Sequence, residues 1–129
     1  VGIASAAACE EIDAARRCGF TSAEPVGCVQ TLVVDPRYRR SGGGSVLAGR
    51  LLALLRADGY ATNLLFAWAS GSGSTADGIA KRLGFECLGT LEEYWREDSV
   101  ERGYNCPVCG NPCLCDVNVW VITQDVLPR

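Results

Sequence analysis

Residues 32–45 read LVVDPRYRRSGGGS, and this stretch contains the strongest structural signal in the chain. The segment Cys28–Val34 is rich in β-branched residues and is followed by Asp35-Pro36, which predicts a strand that ends there. After the glycines, residues at helical spacing predict a helix of about four turns that ends at Gly59. Its stripe comprises Leu47, Leu51, Leu54, Leu55 and Asp58. The stretch therefore predicts a strand, a glycine-rich turn and a helix.

The turn, residues 37–45, carries three arginines and three consecutive glycines. A turn into a helix N-terminus exposes unpaired backbone N–H groups, and the helix dipole favours an anion there. Neither a Gly-Lys-Ser/Thr sequence nor a third glycine at dinucleotide-fingerprint spacing is present, so the usual nucleotide motifs do not fit. The turn predicts a phosphate site, with a flexible turn and a solvated arginine face as the alternative.

The remaining elements are predicted from apolar periodicity and from glycine or proline punctuation. We predict strands at Val1–Ala6, Leu64–Ala69, Cys87–Trp95 and Val117–Thr123, and helices at Ala7–Arg17 and from Ser74 or Thr75 to Leu83. The order strand, helix, strand, helix from residue 28 to 83 predicts two parallel strands joined by a crossover.

The pattern Leu32-x-Val34-x-Pro36-x-x-Arg39-x-x-Gly42-x-Gly44 resembles the signature of the GNAT N-acetyltransferase family, in which Arg/Gln-x-x-Gly-x-Gly/Ala holds the pyrophosphate of coenzyme A. A second similarity is Ala76 followed by a helix that ends in Lys81-Arg82-Leu83-Gly84-Phe85. The resemblance covers residues 26–123. It implies a mixed α/β (α+β) fold with a largely antiparallel sheet, a central splayed parallel strand pair and flanking helices.

The resemblance also implies an acetyl-coenzyme A site. Backbone N–H groups in the turn would hold the pyrophosphate, the edge of the Cys28–Val34 strand would pair with the pantetheine arm, and the strand Leu64–Ala69 would splay away to form the acetyl cleft. The residues assigned to the cofactor in this way are Leu32, Val33, Val34, Arg39, Arg40, Ser41, Gly42, Gly43, Gly44 and Ser45. The expected reaction is acetyl transfer to a primary amine of an unidentified small molecule or peptide.

The catalytic groups are less well specified, because the chain departs from the family pattern at two positions. Ala80 stands where the family usually has a tyrosine acid, and Ser74 stands where an asparagine is common. The strand after the second helix offers Glu92, Glu93 and Tyr94 as candidates, and we select Glu93 and Tyr94 as catalytic residues. The alternative is that all three are solvated strand or hairpin positions.

Four of the eight cysteines lie within ten residues, at Cys106, Cys109, Cys113 and Cys115. The C-x-x-C spacing of Cys106 and Cys109 is typical of a zinc knuckle. The C-x-C spacing of Cys113 and Cys115 can complete a four-sulfur site, although it is tighter than the usual C-x-x-C. We therefore predict a zinc knuckle as a hairpin insertion over residues 102–116. Two disulfides, free thiols or a redox pair are the alternatives. The remaining cysteines, Cys9, Cys18, Cys28 and Cys87, are expected to be small buried apolar residues.

The 129 residues fit one domain, 1–129, with a net charge of −3 that argues against nucleic acid. The chain has no histidine, no long apolar run and no signal peptide, so we expect a cytoplasmic protein without membrane contact. The resemblance implies that the N-terminal helices of the family are largely absent from this sequence. A homodimer is one possible assembly. The alternative function is that of a non-catalytic coenzyme A-binding protein or of a zinc-stapled interaction module.

Overall fold

A computed structural model of the chain describes residues 2–8, 13–22, 24–34, 43–69, 75–106 and 110–124. These residues contain five strands and four helices. In chain order the elements are β1 (Gly2–Ala8), α1 (Asp13–Arg17), β2 (Gly27–Val34), α2 (Gly43–Ala57), β3 (Thr62–Ala69), α3 (Thr75–Leu83), β4 (Glu86–Leu91), α4 (Arg96–Arg102) and β5 (Asp116–Thr123).

The strands form a single sheet in the order β1-β2-β3-β5-β4. The neighbours β2 and β3 run parallel, with α2 as the crossover between them, whereas the other three neighbouring pairs are antiparallel. The predicted mixed α/β fold, with a largely antiparallel sheet and a central parallel pair, is therefore confirmed.

Both faces of the sheet are covered, which explains why β3 has a continuous apolar sequence. Leu64 and Leu65 are adjacent and point to opposite faces, yet both are almost fully buried. One face packs with residues of α2 and α3, and its core comprises Val29, Leu52, Leu65, Ala67, Ala80, Phe85 and Trp120. The other face packs with α1, and its core comprises Ala14, Ala15, Val26, Leu64, Val117 and Val119.

The two helices that flank the parallel pair end at the predicted glycines. Gly59 and Gly84 have φ values of 95° and 90°, a backbone conformation that glycine adopts without steric cost. In each case the residue after the glycine donates its N–H to a carbonyl in the last turn, from Tyr60 to Leu55 and from Phe85 to Ala80, both at 2.9 Å. These bonds satisfy carbonyl groups that the helix end leaves open.

Three boundaries differ from the prediction. The strand β1 includes Ala7 and Ala8, where the helix was predicted to begin, and the described helix is Asp13–Arg17, with residues 9–12 outside the described part of the chain. The strand predicted to reach Trp95 ends at Leu91 and is followed by a turn over residues 92–95 and by the unpredicted helix α4. The strand stops because Glu93 adopts φ 49° and donates its N–H to a side chain instead of a neighbouring strand.

Across the described part of the chain, no helix combines the length and the apolar character that crossing a bilayer requires.

Candidate functional site

The parallel strands β2 and β3 are paired only near their N-terminal ends. Their register joins Gly27, Cys28 and Val29 to Asn63, Leu64 and Leu65, although the strands extend to Val34 and Ala69. At its distal end β2 pairs on its other side with β1, where Gly2 lies opposite Val34 and Ala4 opposite Leu32. The predicted splayed pair is thus present, and its open end lies at the carboxyl ends of both strands.

The cofactor residues Leu32, Val33 and Val34 lie in this distal part of β2, beyond the last residue paired with β3. Their backbone groups are in a position to bind an extended ligand arm, because a strand edge without a partner strand presents free N–H and C=O groups. Their placement agrees with the predicted role of this edge.

The helix α2 begins at Gly43, nine residues after the end of β2 at Val34. Gly43 and Gly44 bring no Cβ atom to its first turn, where the backbone N–H groups have no partner within the helix. The buried Oγ of Ser45 has no hydrogen-bond partner among the described residues. An open hydroxyl beside unpaired N–H groups suits a phosphate group. The other predicted cradle residues, Arg39, Arg40, Ser41 and Gly42, lie outside the described residues.

Glu92, Glu93 and Tyr94 lie in the turn after β4 and not on a strand, which corrects the sequence-based placement. The N–H of Glu93 donates to Oδ1 of Asp116 at 3.0 Å. Asp116 is the first residue of β5 and pairs with Ala69, the last residue of β3. The backbone of Glu93 is therefore tied to the end of the sheet at which β2 and β3 diverge.

The two selected side chains have different surroundings. The Glu93 carboxylate is exposed and forms a 3.3 Å ion pair with Arg96, an arrangement that contributes little to stability. Tyr94 is half-buried, packs on the core that also contacts α1, and meets the Trp95 ring edge-on at a centroid distance of 4.9 Å. The turn that contains Glu93 and Tyr94 therefore lies next to the carboxyl end of β3.

Ala80, which replaces the family's tyrosine, is fully buried in the core between α3 and the sheet. A network that the sequence analysis missed lies on the same face. The Asp77 carboxylate in the first turn of α3 accepts bonds from Trp120 Nε1 at 2.7 Å and from Asn118 Nδ2 at 3.0 Å. Asn118 in turn accepts a 2.6 Å bond from the hydroxyl of Thr90. These bonds hold the start of α3 against β5. The sequence feature that could have pointed to this network is an acidic residue, Asp77, in the first turn of a predicted helix.

The sulfur atoms of Cys106, Cys113 and Cys115 all lie within 4.8 Å of one another, and all three residues are buried. We call these three residues the sulfur cluster. Cys106 and Gly110 exchange both backbone hydrogen bonds, at 2.9 and 2.8 Å, and so form an isolated antiparallel bridge. The fourth predicted ligand, Cys109, lies outside the described residues. The spacing therefore brings three of the four predicted ligands together.

Ser99 of α4 forms a hydrogen bond to the backbone of the sulfur cluster, a contact that the sequence did not predict. Its side chain is fully buried, its Oγ accepts the Cys113 N–H at 2.8 Å, and it donates to the Arg96 carbonyl at 2.8 Å. Asn111 donates to the carbonyls of Ser99 and Tyr104. Acidic residues in the first turn of α4, Arg102 in its last turn and Gly103 after it were the signals that could have predicted this helix.

Burial is the main cause that raises the pKa of the Cys113 thiol, and the neighbouring Cys106 raises it further. The pKa of Tyr104 is raised to about 12, first by burial and then by its 2.7 Å hydrogen bond to Asp98. A thiol in such surroundings stays protonated at neutral pH unless a cation binds. Burial thus disfavours a free thiolate at Cys113.

The other cysteines do not share one environment. Cys28 is buried in β2, as predicted, whereas Cys18 is half-buried and Cys87 is exposed. The prediction of burial is wrong for Cys87 because β4 is the outer strand of the sheet. Cys9 lies outside the described residues. Burial and, next, the neighbouring Cys87 raise the pKa of the Cys18 thiol.

Comparisons with known proteins agree with this geometry. A mycothiol acetyltransferase of Renibacterium salmoninarum is 31% identical over 102 residues, which cover 79% of this chain and 28% of that protein. Among solved structures, yncA of Salmonella typhimurium with its cofactor acetyl-CoA has a TM-score of 0.64 and 16% identity, covering 99% of this chain and 60% of that one.

The ribosomal-protein-S18-alanine N-acetyltransferase of Escherichia coli has a TM-score of 0.57 at 22% identity, over 81% of this chain and 57% of that one. The structural likenesses show a common fold. The chain spans 28% of the length of the curated relative and 57–60% of these two structures. The model of the acetyltransferase (GNAT) family matches residues 1–85, which is more than half of the sequence. The chain therefore belongs to the acetyltransferase (GNAT) family.

Proposed function

We propose that this chain provides the acetyl-coenzyme A site of an N-acetyltransferase that acetylates a primary amine. The observation that carries the proposal is the splayed pair of β2 and β3, followed by the glycine start of α2, within the segment that matches the family. This arrangement offers an open strand edge for a pantetheine arm and a helix N-terminus for a pyrophosphate.

In the proposed complex, backbone N–H groups of residues 40–45 hold the pyrophosphate, with Arg39 and Arg40 supplying positive charge. Leu32, Val33 and Val34 pair with the pantetheine arm. The open Oγ of Ser45 supports this assignment, because a buried hydroxyl without a partner is costly unless a ligand or water satisfies it. Bound acetyl-coenzyme A supplies the thioester that is the acetyl donor.

Acetyl transfer joins the amine nitrogen to the carbonyl carbon and breaks the bond from that carbon to sulfur, so one proton must leave nitrogen and one must reach sulfur. We propose that Glu93 accepts the first proton through a water molecule and that the Tyr94 phenol supplies the second. Their position beside the open end of β3 supports these roles. Since Ala80 is buried and has no acidic group, it supplies no proton.

The acceptor is a small-molecule or peptide amine. The names of two similar proteins support both kinds of acceptor, since one is named for mycothiol and the other for the alanine of a ribosomal protein. We propose neither a nucleic acid partner nor a membrane partner. The net charge of −3 argues against binding to nucleic acid. A homodimer and a cytoplasmic location remain predictions.

We also propose that Cys106, Cys109, Cys113 and Cys115 bind one structural zinc ion within a single domain, 1–129, in which residues 102–116 form an insertion. The three described sulfurs are buried and close enough to share one ion. Four protein ligands would leave no open coordination position, so the ion would stabilise the insertion and would take no part in catalysis.

The test of function combines binding with turnover. Calorimetry measures acetyl-coenzyme A binding, and release of the free thiol measures transfer to a panel that contains a diamine, an amino sugar and a peptide with a free N-terminus. Thiol release with at least one amine is expected. Binding without thiol release for every amine would favour the non-catalytic coenzyme A-binding protein. The buried Ala80 in place of the family's tyrosine acid is consistent with that alternative. No binding, with zinc present, would favour the zinc-stapled interaction module.

Variants at the two selected residues test their roles in proton transfer. Tyr94→Phe is expected to lower kcat by less than about a hundredfold. The coenzyme A thiol has a pKa of about 8.5, so its thiolate can leave without full protonation. Glu93→Gln should shift the acidic limb of the pH–rate profile. An unchanged profile in Glu93→Gln, with an unchanged circular dichroism spectrum, would remove Glu93 from the mechanism.

A further inference from the structure

The turn over residues 92–95 contains an unusual backbone conformation. Among the described residues, Glu93 is the only residue other than glycine with a positive φ, at 49°. Glutamate gains no local hydrogen bond there of the kind that makes the left-handed region accessible to asparagine or aspartate. Such a conformation persists only where its surroundings hold it, and it is often found next to functional groups.

One contact that holds this turn comes from the sheet. Oδ1 of Asp116 accepts the Glu93 N–H at 3.0 Å across 23 residues of sequence. Since Asp116 begins β5 and lies opposite Ala69, this bond joins the turn to the end of β3. A carboxylate that accepts a backbone N–H forms a stronger hydrogen bond than a neutral acceptor.

A second set of contacts comes from the sulfur cluster, whose last member, Cys115, immediately precedes Asp116 in sequence. Trp95, the last residue of the turn, packs against Cys106, Cys113 and Cys115. The Trp95 carbonyl accepts the Ser99 N–H at 2.9 Å, and Ser99 Oγ accepts the Cys113 N–H at 2.8 Å. The turn is thus held at one end by Asp116 and at the other by the sulfur cluster.

We propose that Asp116 is a positioning residue for acetyl transfer, because its carboxylate holds the Glu93 turn at the open end of β3 and links that turn to the sulfur cluster. Asp116 itself touches no reacting atom. The inference rests on the proposed function, in which Glu93 and Tyr94 act at this end of the sheet. It adds that the turn that carries those two residues also contacts the sulfur cluster through Trp95.

Amide hydrogen exchange tests the anchoring without any substrate. In Asp116→Ala the Glu93 amide is expected to exchange at least tenfold faster than in the wild-type chain, whereas Asp116→Asn keeps an Oδ1 acceptor and should stay within threefold. Glu97→Ala is the matched control, since Glu97 is an exposed acidic residue of α4, and it should leave the Glu93 amide unchanged. Equal exchange in the wild-type chain and Asp116→Ala would overturn the anchoring.

Kinetics on the best acceptor of the amine panel test the role in transfer. Asp116→Ala is expected to lower kcat at least tenfold with an unchanged KM for acetyl-coenzyme A, and Asp116→Asn should restore most of the rate. Unchanged kcat in Asp116→Ala, with faster exchange at Glu93, would overturn the positioning role while leaving the proposed function intact. Absence of turnover in the wild-type chain would refute the proposed function and, with it, a role of Asp116 in transfer.

Discussion

Gly27 lies at the point where the two parallel strands meet, and replacing it with alanine tests the packing on which the splayed pair depends. Gly27 pairs with Asn63 in the parallel register. A Cβ atom at residue 27 would overlap Asn63 Oδ1 and would lie 3.1 Å from Leu55 Cδ2. The added methyl group therefore has no space of its own.

The Asn63 side chain cannot simply turn away from this methyl group. It is fully buried, and its Nδ2 donates to the Tyr60 carbonyl at 3.1 Å, so a rotation would break that bond inside the protein. Overpacking of a core costs about 1–3 kcal/mol and a buried unsatisfied group costs a similar amount. Because relaxation relieves part of both, we expect Gly27→Ala to lower the free energy of unfolding by about 2–4 kcal/mol.

Urea unfolding followed by circular dichroism measures this change, with an unchanged slope as the sign of an intact two-state transition. The matched control is Gly78→Ala in α3, where an added Cβ meets no atom within 4 Å. That substitution should stabilise the chain by about 0.5–1 kcal/mol, because alanine is the better helix former.

The double variant Gly27→Ala/Asn63→Ala identifies the clash as the cause. It should be less destabilised than the sum of the single variants by at least about 1 kcal/mol, since the two side chains no longer compete for one space. A stability of Gly27→Ala within about 0.5 kcal/mol of the wild-type chain would refute the packing argument, because ordinary surface substitutions fall in that range.

Three further predictions concern the cofactor site and the sulfur cluster. Gly44→Val places a branched side chain in the first turn of α2 and should weaken acetyl-coenzyme A binding at least about tenfold by calorimetry; unchanged affinity would remove the phosphate assignment. Elemental analysis of anaerobically purified protein should find about one zinc ion per chain, and Cys113→Ser should lose it; mapped disulfides without metal would favour the alternative. Ser99→Ala leaves the buried Cys113 N–H without its acceptor and should cost about 1–3 kcal/mol in urea unfolding, whereas a change below about 0.5 kcal/mol would mean that water replaces the hydroxyl.

The elements around the parallel pair were predictable because their signals are local. Apolar spacing, together with Gly59 and Gly84, defines α2 and α3 within a residue or two of their observed bounds. The continuous apolar run from Leu64 predicted a strand buried on both faces, and both Leu64 and Leu65 are buried in the structure. The C-x-x-C and C-x-C spacings likewise predicted that cysteines would cluster, since residues so close in sequence need few other contacts to converge.

The turn after β4 was not predictable in this way. Glu92, Glu93 and Tyr94 follow an apolar strand sequence directly, with no glycine or proline between Leu91 and Trp95 to mark the end of the strand. The strand ends because Glu93 bonds to Asp116, 23 residues further along the chain. The Asp77 network was also not predictable, because it depends on a contact between distant residues: the hydrogen bond from Trp120 to Asp77 spans 43 residues of sequence.

By itself the sequence determined the family, the order of strands and helices from residue 28 to residue 83, and the residue types available to bind phosphate and metal. Local backbone preferences and short spacings carry that information. Only the tertiary structure decided how far β2 and β3 pair before they separate, where Glu93 and Tyr94 lie, and which residues support the sulfur cluster. Those features depend on contacts between distant residues, because a side chain such as Asp116 or Ser99 acquires its role only from the partner that the fold places beside it.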